Sequence, residues 1–316
     1  MDIKCVLDDK RKEYIIPTKS WLTAIKQMKI EEVSTAGTNI LSELVGKEKV
    51  LVKLTNKTNI KLKTINNAIR GLPNMVYTYC VIFCHDYLPL ILQNKQFCNL
   101  DNNKHPVTLE VMKMYNGGTI DKIKELDIKF FKKILSQLIF AQINLFMKSG
   151  FTHCDIHPGN ILINKHPHKV ELNYSYLLKP KKIQTKYEFI LCDYDKSIDF
   201  NPDEIIEYIN QIYGDNDIEE IVNDLINQNL FSNIITTINM LINKLNMEYK
   251  KSIRKIFVDA QIKNNNIIEN QNKILKSYIS YLYNDKNEKK INIFKKYKEI
   301  THNDCITFYE NFIKML

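Results

Sequence analysis

Residues 151–164 read FTHCDIHPGNILIN. Two His, an Asp, a Pro, a Gly and an Asn crowd into a few positions between a long, sparsely charged segment and a run of Ile and Leu. Such a stretch is either an ordinary helix end followed by a buried strand, or a loop that presents polar groups for chemistry. The flanking sequence decides between them.

Immediately upstream, DIKFFKKILSQLIFAQINLFMKSG, from Asp127 to Gly150, has an Asp near its start, apolar residues at helical spacing and a terminal Gly. That pattern predicts a long, largely buried helix. Downstream, a short strand is expected over Ile161–Ile163. A basic, tyrosine-containing segment follows, and then a second apolar strand, Tyr187–Cys192, which ends in Asp193, Tyr194 and Asp195. Beyond about Pro202 the periodic Ile, Leu and Tyr predict helices separated by Asn and Asp turns.

The first third reads differently. EEVSTAGTNILSELVGKEKVLVKL, residues 31–54, suggests three strands, with turns at Ser34–Asn39 and around Gly46 and Lys47; in the third strand Val and Leu bracket Lys53. VYTYCVIFCHDYL from Val76 and VTLEVMKMYNGG from Val107 are further strand candidates, rich in β-branched and aromatic residues. The expected fold class is therefore α+β. A small antiparallel-sheet domain over 1–117 precedes a mainly helical one over 118–316, with the polar cluster near the join.

Composition narrows the setting. At 316 residues, 44% hydrophobic and 26% charged, the chain can bury a substantial core and is not disordered. Its seven Cys form no CxxC pair, which argues for reduced thiols rather than a disulfide framework or a zinc ribbon. Ile134–Met147, the longest uncharged apolar run, falls short of the roughly 18 residues a membrane-spanning helix needs. A soluble, cytoplasmic protein is expected. The net charge of +9 is spread along the chain and rich in Lys, so it reads as solvated surface. No zinc, helix-turn-helix or RNP-like signature accompanies it, and nucleic-acid binding is not expected.

His153, Asp155 and Asn160 fit H-x-D-x-x-x-x-N, and the apolar strand after them delivers Asp193. Phosphoryl transfer to a hydroxyl needs a carboxylate to orient the hydroxyl and accept its proton, oxygen ligands for Mg²⁺, and a cation on the nucleotide phosphates. Asp155, the Asn160–Asp193 pair and Lys53 are the respective candidates.

At this point the sequence resembles the protein kinase-like superfamily over roughly Val33–Asp199. VLVKL resembles the strand that carries the nucleotide-binding lysine, LEVMKMYNGGTI the hinge strand, THCDIHPGNILI the catalytic loop and FILCDYD the strand leading to the metal-binding motif. The resemblance implies a bilobal kinase-like fold using ATP and Mg²⁺. Asp155 would be the catalytic base and Asn160 and Asp193 the metal ligands, with Lys53, Gly37, Thr38, Glu110 and Met112 binding nucleotide. His153 is read as bracing the loop backbone.

The spelling departs from that of ordinary protein kinases. HCDIHPGN resembles the loop of aminoglycoside and related small-molecule phosphotransferases and of ABC1-type atypical kinases, with His157 where most protein kinases place Lys. Cys154 stands where many kinases place the Arg that senses a phosphorylated activation loop, so no such activation is expected. No APE-like sequence follows Asp195. An inserted hairpin around His166–Lys186 is expected between Asp155 and Asp193. STAGTN contains one Gly, Gly37, instead of a G-x-G-x-x-G loop. No Asp or Glu lies between Lys53 and Val76, so the helix expected near LKTINNAIR lacks the acidic partner of the lysine, and Glu31, Glu32 or Glu43 would have to replace it.

The function these features imply is ATP-dependent transfer of the γ-phosphate to Ser or Thr of a protein substrate. Compact, Asn/Lys/Ile-rich kinases of this kind resemble those encoded by large cytoplasmic DNA viruses, which extends the expected location to host cytoplasm or virion. The alternatives are a kinase for a small hydroxylated molecule and a catalytically weak pseudokinase scaffold. An acidic stretch, DNDIEEIVND from Asp215, would suit a cationic small substrate but reads more simply as a solvated helix face.

Overall fold

The computed structural model describes residues 30–32, 39–43, 49–55, 60–83, 90–92, 95–97, 108–213, 218–284 and 290–316. By contacts the chain divides into two compact units, Met1–Gly71 with Val76–Tyr115, and Leu72–Met75 with Asn116–Leu316. The four residues Leu72–Met75 thus belong with the helical part, although they precede the last strands of the sheet.

The first unit is built on an antiparallel sheet. Its strands are β1 (Ile30–Glu32), β2 (Asn39–Glu43), β3 (Lys49–Thr55), β4 (Thr78–Phe83) and β7 (Thr108–Lys113), in the spatial order β1-β2-β3-β7-β4. A separate two-stranded piece pairs β5 (Leu90–Leu92) with β6 (Lys95–Phe97). The alternating Val and Leu of KVLVKLT give β3 its strand character. Between β3 and β4 lies α1 (Ile60–Ile69), whose Ile65 and Ile69 sit one turn apart and are both 2% exposed. Gly71, at φ +73, takes the left-handed conformation just past the helix end, where glycine carries no steric penalty.

The second unit is organised around α2 (Ile128–Ser149). Asp127 caps it by accepting from the Phe130 N–H, and Gly150 at φ 84 closes it, its N–H donating to the Phe146 carbonyl. These are the two end signals expected from the sequence. Phe131, Ile134, Leu135, Leu138 and Ile139 are all 0% exposed, so the helix contributes much of the unit's core. Beyond Gly150 come β8 (Phe151–Thr152), β9 (Ile161–Tyr174), β10 (Lys181–Leu191) and β11 (Ile198–Asp199). The strands read from sequence as Ile161–Ile163 and Tyr187–Cys192 are the bases of one long hairpin, β9–β10, with its register broken once between Thr185 and Tyr187. The hairpin expected around His166–Lys186 is present, with exposed Lys169, Glu171 and Asn173 alternating with Val170, Leu172 and Tyr174, and it runs on into both flanking strands.

Helices complete the unit: α3 (Pro202–Tyr213), α4 (Ile218–Ile226), α5 (Leu230–Asn243), α6 (Met247–Lys263), α7 (Asn265–Asn284) and α8 (Lys290–Met315). α8 buries Phe294, Tyr297, Thr301, Cys305, Phe308 and Phe312, a seam at three- and four-residue spacing that only a helix can bring to one face. Tyr297 stacks on Tyr278 of α7 with ring centroids 4.7 Å apart. No helix among the described residues is long and apolar enough to cross a membrane. The acidic stretch read as a solvated face falls partly on α4, where Glu219 and Glu220 are exposed and Glu219 pairs with Lys276 at 2.8 Å; its first residues lie outside the described ones.

Candidate phosphotransfer site

Within the second unit, the loop from His153 to Asn160 is held in place by the strand that ends at Cys192. Thr152 and Phe151 pair with Ile198 and Asp199, so β8 and β11 bring the loop and the residues after Asp193 side by side. The Cys192 N–H donates to the Asn160 carbonyl at 3.0 Å. His153, 1% exposed, joins the two segments a second time. Its Nδ1 accepts from the Asp155 N–H at 3.3 Å, and its Nε2 lies 2.9 Å from the Cys192 carbonyl. One neutral tautomer, protonated at Nε2, satisfies both bonds. Burial pushes the ring's pKa down to about 4, against weaker opposing effects of the Cys192 carbonyl and of Asp193 and Asp155, so the bracing form is the neutral one near pH 7.

Asn160, 6% exposed, donates from Nδ2 to the Asp155 carbonyl at 3.0 Å, which turns its Oδ1 away from that bond. His157 caps the 3₁₀ turn Pro158–Asn160 by accepting from the Gly159 N–H at 3.2 Å, while its ring stays exposed. The Asp155 side chain is one-quarter exposed, and its Oδ1 meets Lys196 Nζ at 3.0 Å. Lys196 was not singled out from the sequence. The available signal was a Lys three residues past Asp193, which means little until the chain is seen to turn back on the loop.

Two residues here hold positive φ without being glycine, Cys154 at 59° and Asp193 at 65°. Left-handed backbone costs an L-residue about 1 kcal/mol and is maintained only where surrounding bonds fix it. For Cys154 those bonds are visible: its N–H donates to Asn233 Oδ1 at 2.9 Å, and its Sγ lies 3.1 Å from Thr152 Oγ1 and 3.2 Å from the Gln228 carbonyl. Burial pushes the thiol's pKa up. Thus the side chain standing at the expected phospho-sensing position is a neutral group turned onto α5. Past Asp193, Tyr194 is fixed by its hydroxyl to Met75 Sδ and the Leu191 carbonyl, and the chain reaches β11 at Ile198 and α3 at Pro202 with no extended segment between.

The residues present fit a hard divalent ion only in company with a phosphate ligand. Among the described residues no group of three or more His, Cys, Asp or Glu side chains could hold a metal unaided. One carboxylate, Asp193, and one amide oxygen, Asn160 Oδ1, are the kind of partial set that Mg²⁺ accepts when phosphates and waters supply the rest.

In the first unit, Lys53 stands on β3 directly opposite Glu110 of β7 and Asn39 of β2. Glu110 is 8% exposed; its Oε1 accepts from Asn66 Nδ2 of α1 at 3.2 Å and lies 3.1 Å from Thr78 Oγ1, which also reaches Asn66 Oδ1 at 2.7 Å. Met112, 5% exposed and opposite Leu51, follows two residues along β7 and shares the face of Glu110. β7 lies between β3 and β4, so the Glu110 backbone sits inside a ladder and its side chain is what it offers. Gly37 and Thr38 lie outside the described residues. Glu31 and Glu32 are on β1, and Glu43 on β2 is opposite Lys49, not Lys53.

Residues 105–223 match the ABC1 atypical kinase-like domain, a span that contains the loop, the hairpin and Asp193. No curated protein matches the chain. Among solved structures, the kinase PK-1 of Cydia pomonella granulovirus aligns with 18% identity and a TM-score of 0.37, over 57% of each chain. The yeast RNA polymerase II CTD kinase CTDK-1 complex aligns with 10% identity and a TM-score of 0.32, over 54% of this chain and 47% of that one. The chain thus spans little more than half of the first and less than half of the second. Over residues 105–223, which hold the loop, the hairpin and Asp193, the chain is thus similar to the ABC1 atypical kinase-like domain.

Proposed function

We propose that the protein is an ATP-dependent phosphotransferase that moves the γ-phosphate to a hydroxyl, with Ser or Thr of a protein as the acceptor. The observation that carries this reading is the fixing of Asp155: its N–H is held by His153, its carbonyl by Asn160 and its carboxylate by Lys196. A carboxylate so oriented can accept the proton of an incoming hydroxyl without reorganising. Lys196 occupies one oxygen of Asp155 and brings a positive charge to the place where a transferring phosphoryl group develops negative charge. It fills the electrostatic role that His157, bound to its own turn, leaves open. Asn160 and Asp193 would hold Mg²⁺, which when bound with nucleotide neutralises phosphate oxygens. Lys53 is assigned to the nucleotide phosphates, with Met112 as an apolar contact for the base. Gly37 and Thr38 remain assigned to the turn that covers the phosphates.

A small hydroxylated acceptor is the second reading. It draws on the direct run from Asp193 to β11 at Ile198, which leaves little chain on which to lay a peptide, and on the HPGN spelling within the ABC1-matched span. The two readings separate on the acceptor. Purified protein with γ-labelled ATP and Mg²⁺ is offered a mixed protein acceptor, and in parallel a set of aminoglycosides and choline-like alcohols. Label entering protein and lost in Asp155→Ala supports the first reading. Label entering only small alcohols moves the assignment to the second, and no transfer to either class sinks both.

A further inference from the structure

Away from the loop, α2 and the base of the β9–β10 hairpin build a cationic patch around an aromatic pair. Phe130 of α2 meets Tyr187 of β10 edge to face, with ring centroids 5.5 Å apart, and Phe189 at 5.4 Å. Phe189 is 0% exposed, whereas Tyr187 remains 37% exposed, so the cluster ends in a ring that reaches solvent. The exposed lysines Lys129, Lys133, Lys165 and Lys186 surround it. Lys165 stands directly opposite Tyr187 in the register and projects from the same face, with Cβ atoms about 5 Å apart. Lys186 precedes the ring, at the register break between Thr185 and Tyr187. On α2, Phe130 and Gln137 both meet Tyr187, the first by its ring and the second by donating from Nε2 to the Tyr187 carbonyl at 2.8 Å. Lys133 lies between them on that helix face at three- and four-residue spacing, and Lys129 is one turn before it. The flanking carboxylates are engaged elsewhere. Asp127 caps α2, and Glu188, which alternates onto the face opposite Tyr187, lies 3.1 Å from His166 Nε2 and 3.3 Å from Asn164 Nδ2.

We propose that this patch docks an acidic segment of the protein acceptor, one whose Asp and Glu side chains flank an apolar or aromatic residue that packs on Tyr187. Charge complementarity sets the partner. The cations come from α2 on one side of the ring and from the hairpin on the other, so carboxylates on both sides of a central apolar group each find a lysine. None of the four is Arg, whose planar guanidinium is the usual recogniser of phosphate and nucleic acid, so the patch favours carboxylates. A partly desolvated aromatic ring at the centre with charge at the rim is also how binding energy is concentrated at protein interfaces. The patch meets a need of the first reading. The run from Asp193 to β11 leaves little chain on which to lay a peptide, so a protein acceptor has to gain its affinity away from the loop. An acceptor held there presents its hydroxyl at raised effective concentration. The inference rests on the protein-acceptor reading for its consequence, whereas docking itself is measured without phosphate transfer.

The test measures binding first, in the full-length protein. A fluorescein-labelled Glu-rich peptide with a central Phe is titrated by fluorescence anisotropy, beside its Lys-rich counterpart, a single-stranded oligonucleotide and phosphatidylserine vesicles. The wild type should bind the Glu-rich peptide, more weakly as salt is added, and Lys129→Glu with Lys133→Glu should weaken binding about tenfold or more. Lys165→Glu with Lys186→Glu reverses the charge on the hairpin alone and should act alike, which carries the test if the α2 pair does not fold. Lys251→Glu with Lys255→Glu, at exposed positions of α6, should leave binding unchanged. In the transfer assay, the α2 pair should raise KM for an acidic protein such as dephosphorylated casein about tenfold at unchanged kcat. Peptide binding that survives both patch pairs overturns the assignment, and so does a wild type that does not bind the peptide. Tighter binding of the oligonucleotide or the vesicles than of the peptide also overturns it and moves the patch to a nucleic acid or a membrane. Peptide binding that both patch pairs abolish, in a protein that transfers no phosphate, upholds the docking surface and sinks the phosphotransfer reading alone.

Discussion

At the scale of single residues, His153 fixes the loop that carries Asp155, the proposed base. Its ring bridges the backbone of the loop to the carbonyl that precedes Asp193, and it does so only when neutral. The unfolded chain binds a proton near pH 6.5, whereas the buried ring resists protonation down to about 4. The unfolded state therefore holds more protons between those values, and stability falls as the solution is acidified through that window, by about 3 kcal/mol. Above pH 6.5 this contribution is complete. Urea unfolding from pH 7.5 to 4.5 should show the decline in wild type and a shallower one in His153→Gln. Lys196 is the other residue whose role appears only in three dimensions. Lys196→Ala should lower kcat by about tenfold to a hundredfold with little effect on ATP affinity, as measured in the transfer assay, because it removes an electrostatic group from the acceptor side.

At the scale of elements, the β9–β10 hairpin is anchored by a buried polar network. Asn74, 0% exposed and at φ 62, donates from Nδ2 to Gln137 Oε1 of α2 and to the Phe189 carbonyl, and accepts from the Tyr174 hydroxyl. Gln137 in turn donates to the Tyr187 carbonyl and accepts from the Phe189 N–H. Tyr174→Phe leaves the Asn74 oxygen without that donor in a dry site and should cost about 1–3 kcal/mol by denaturant unfolding. At the end of α2, a Cβ on Gly150 would come within 2.8 Å of Phe294 and 3.0 Å of the Asn201 amide, on top of the unfavourable φ of 84°. Gly150→Ala should therefore destabilise by about 2 kcal/mol or more. Both ends of α2 were legible in the sequence because Asp127 and Gly150 are local signals. An inserted hairpin around His166–Lys186 was legible too, but its continuity with the strands on either side was not, because Lys165, His166 and Pro167 interrupt the apolar pattern. Pairing with a partner strand overrides that interruption. The polar network could not be read at all, since Asn74, Gln137 and Tyr174 meet only through tertiary packing.

At the scale of the whole molecule, sheet first and helices second was readable from the change of hydrophobic period alone, and so was the order of Lys53, Asp155, Asn160 and Asp193. What stayed hidden were the substitutions between elements. The cation beside Asp155 comes from after Asp193, which depends on chain reversal rather than on spacing. Under the proposed function, the positions that the resemblance assigns to regulation are held by fixed contacts. Cys154 is bonded to α5, the segment after Asp193 runs directly into β11, and α1 bears an amide in place of an acid. The account therefore predicts constitutive activity, independent of prior phosphorylation. Phosphatase-treated protein should retain its full transfer rate. The most direct measurement is the rate of γ-phosphate transfer from Mg·ATP by wild-type protein beside Asp155→Asn and Asp193→Asn, with nucleotide binding followed in the same samples. The account predicts transfer by the wild type, a loss of about a thousandfold or more in both variants, and nucleotide still bound by Asp155→Asn. Nucleotide binding without transfer in the wild type, or equal rates in all three proteins, would contradict it.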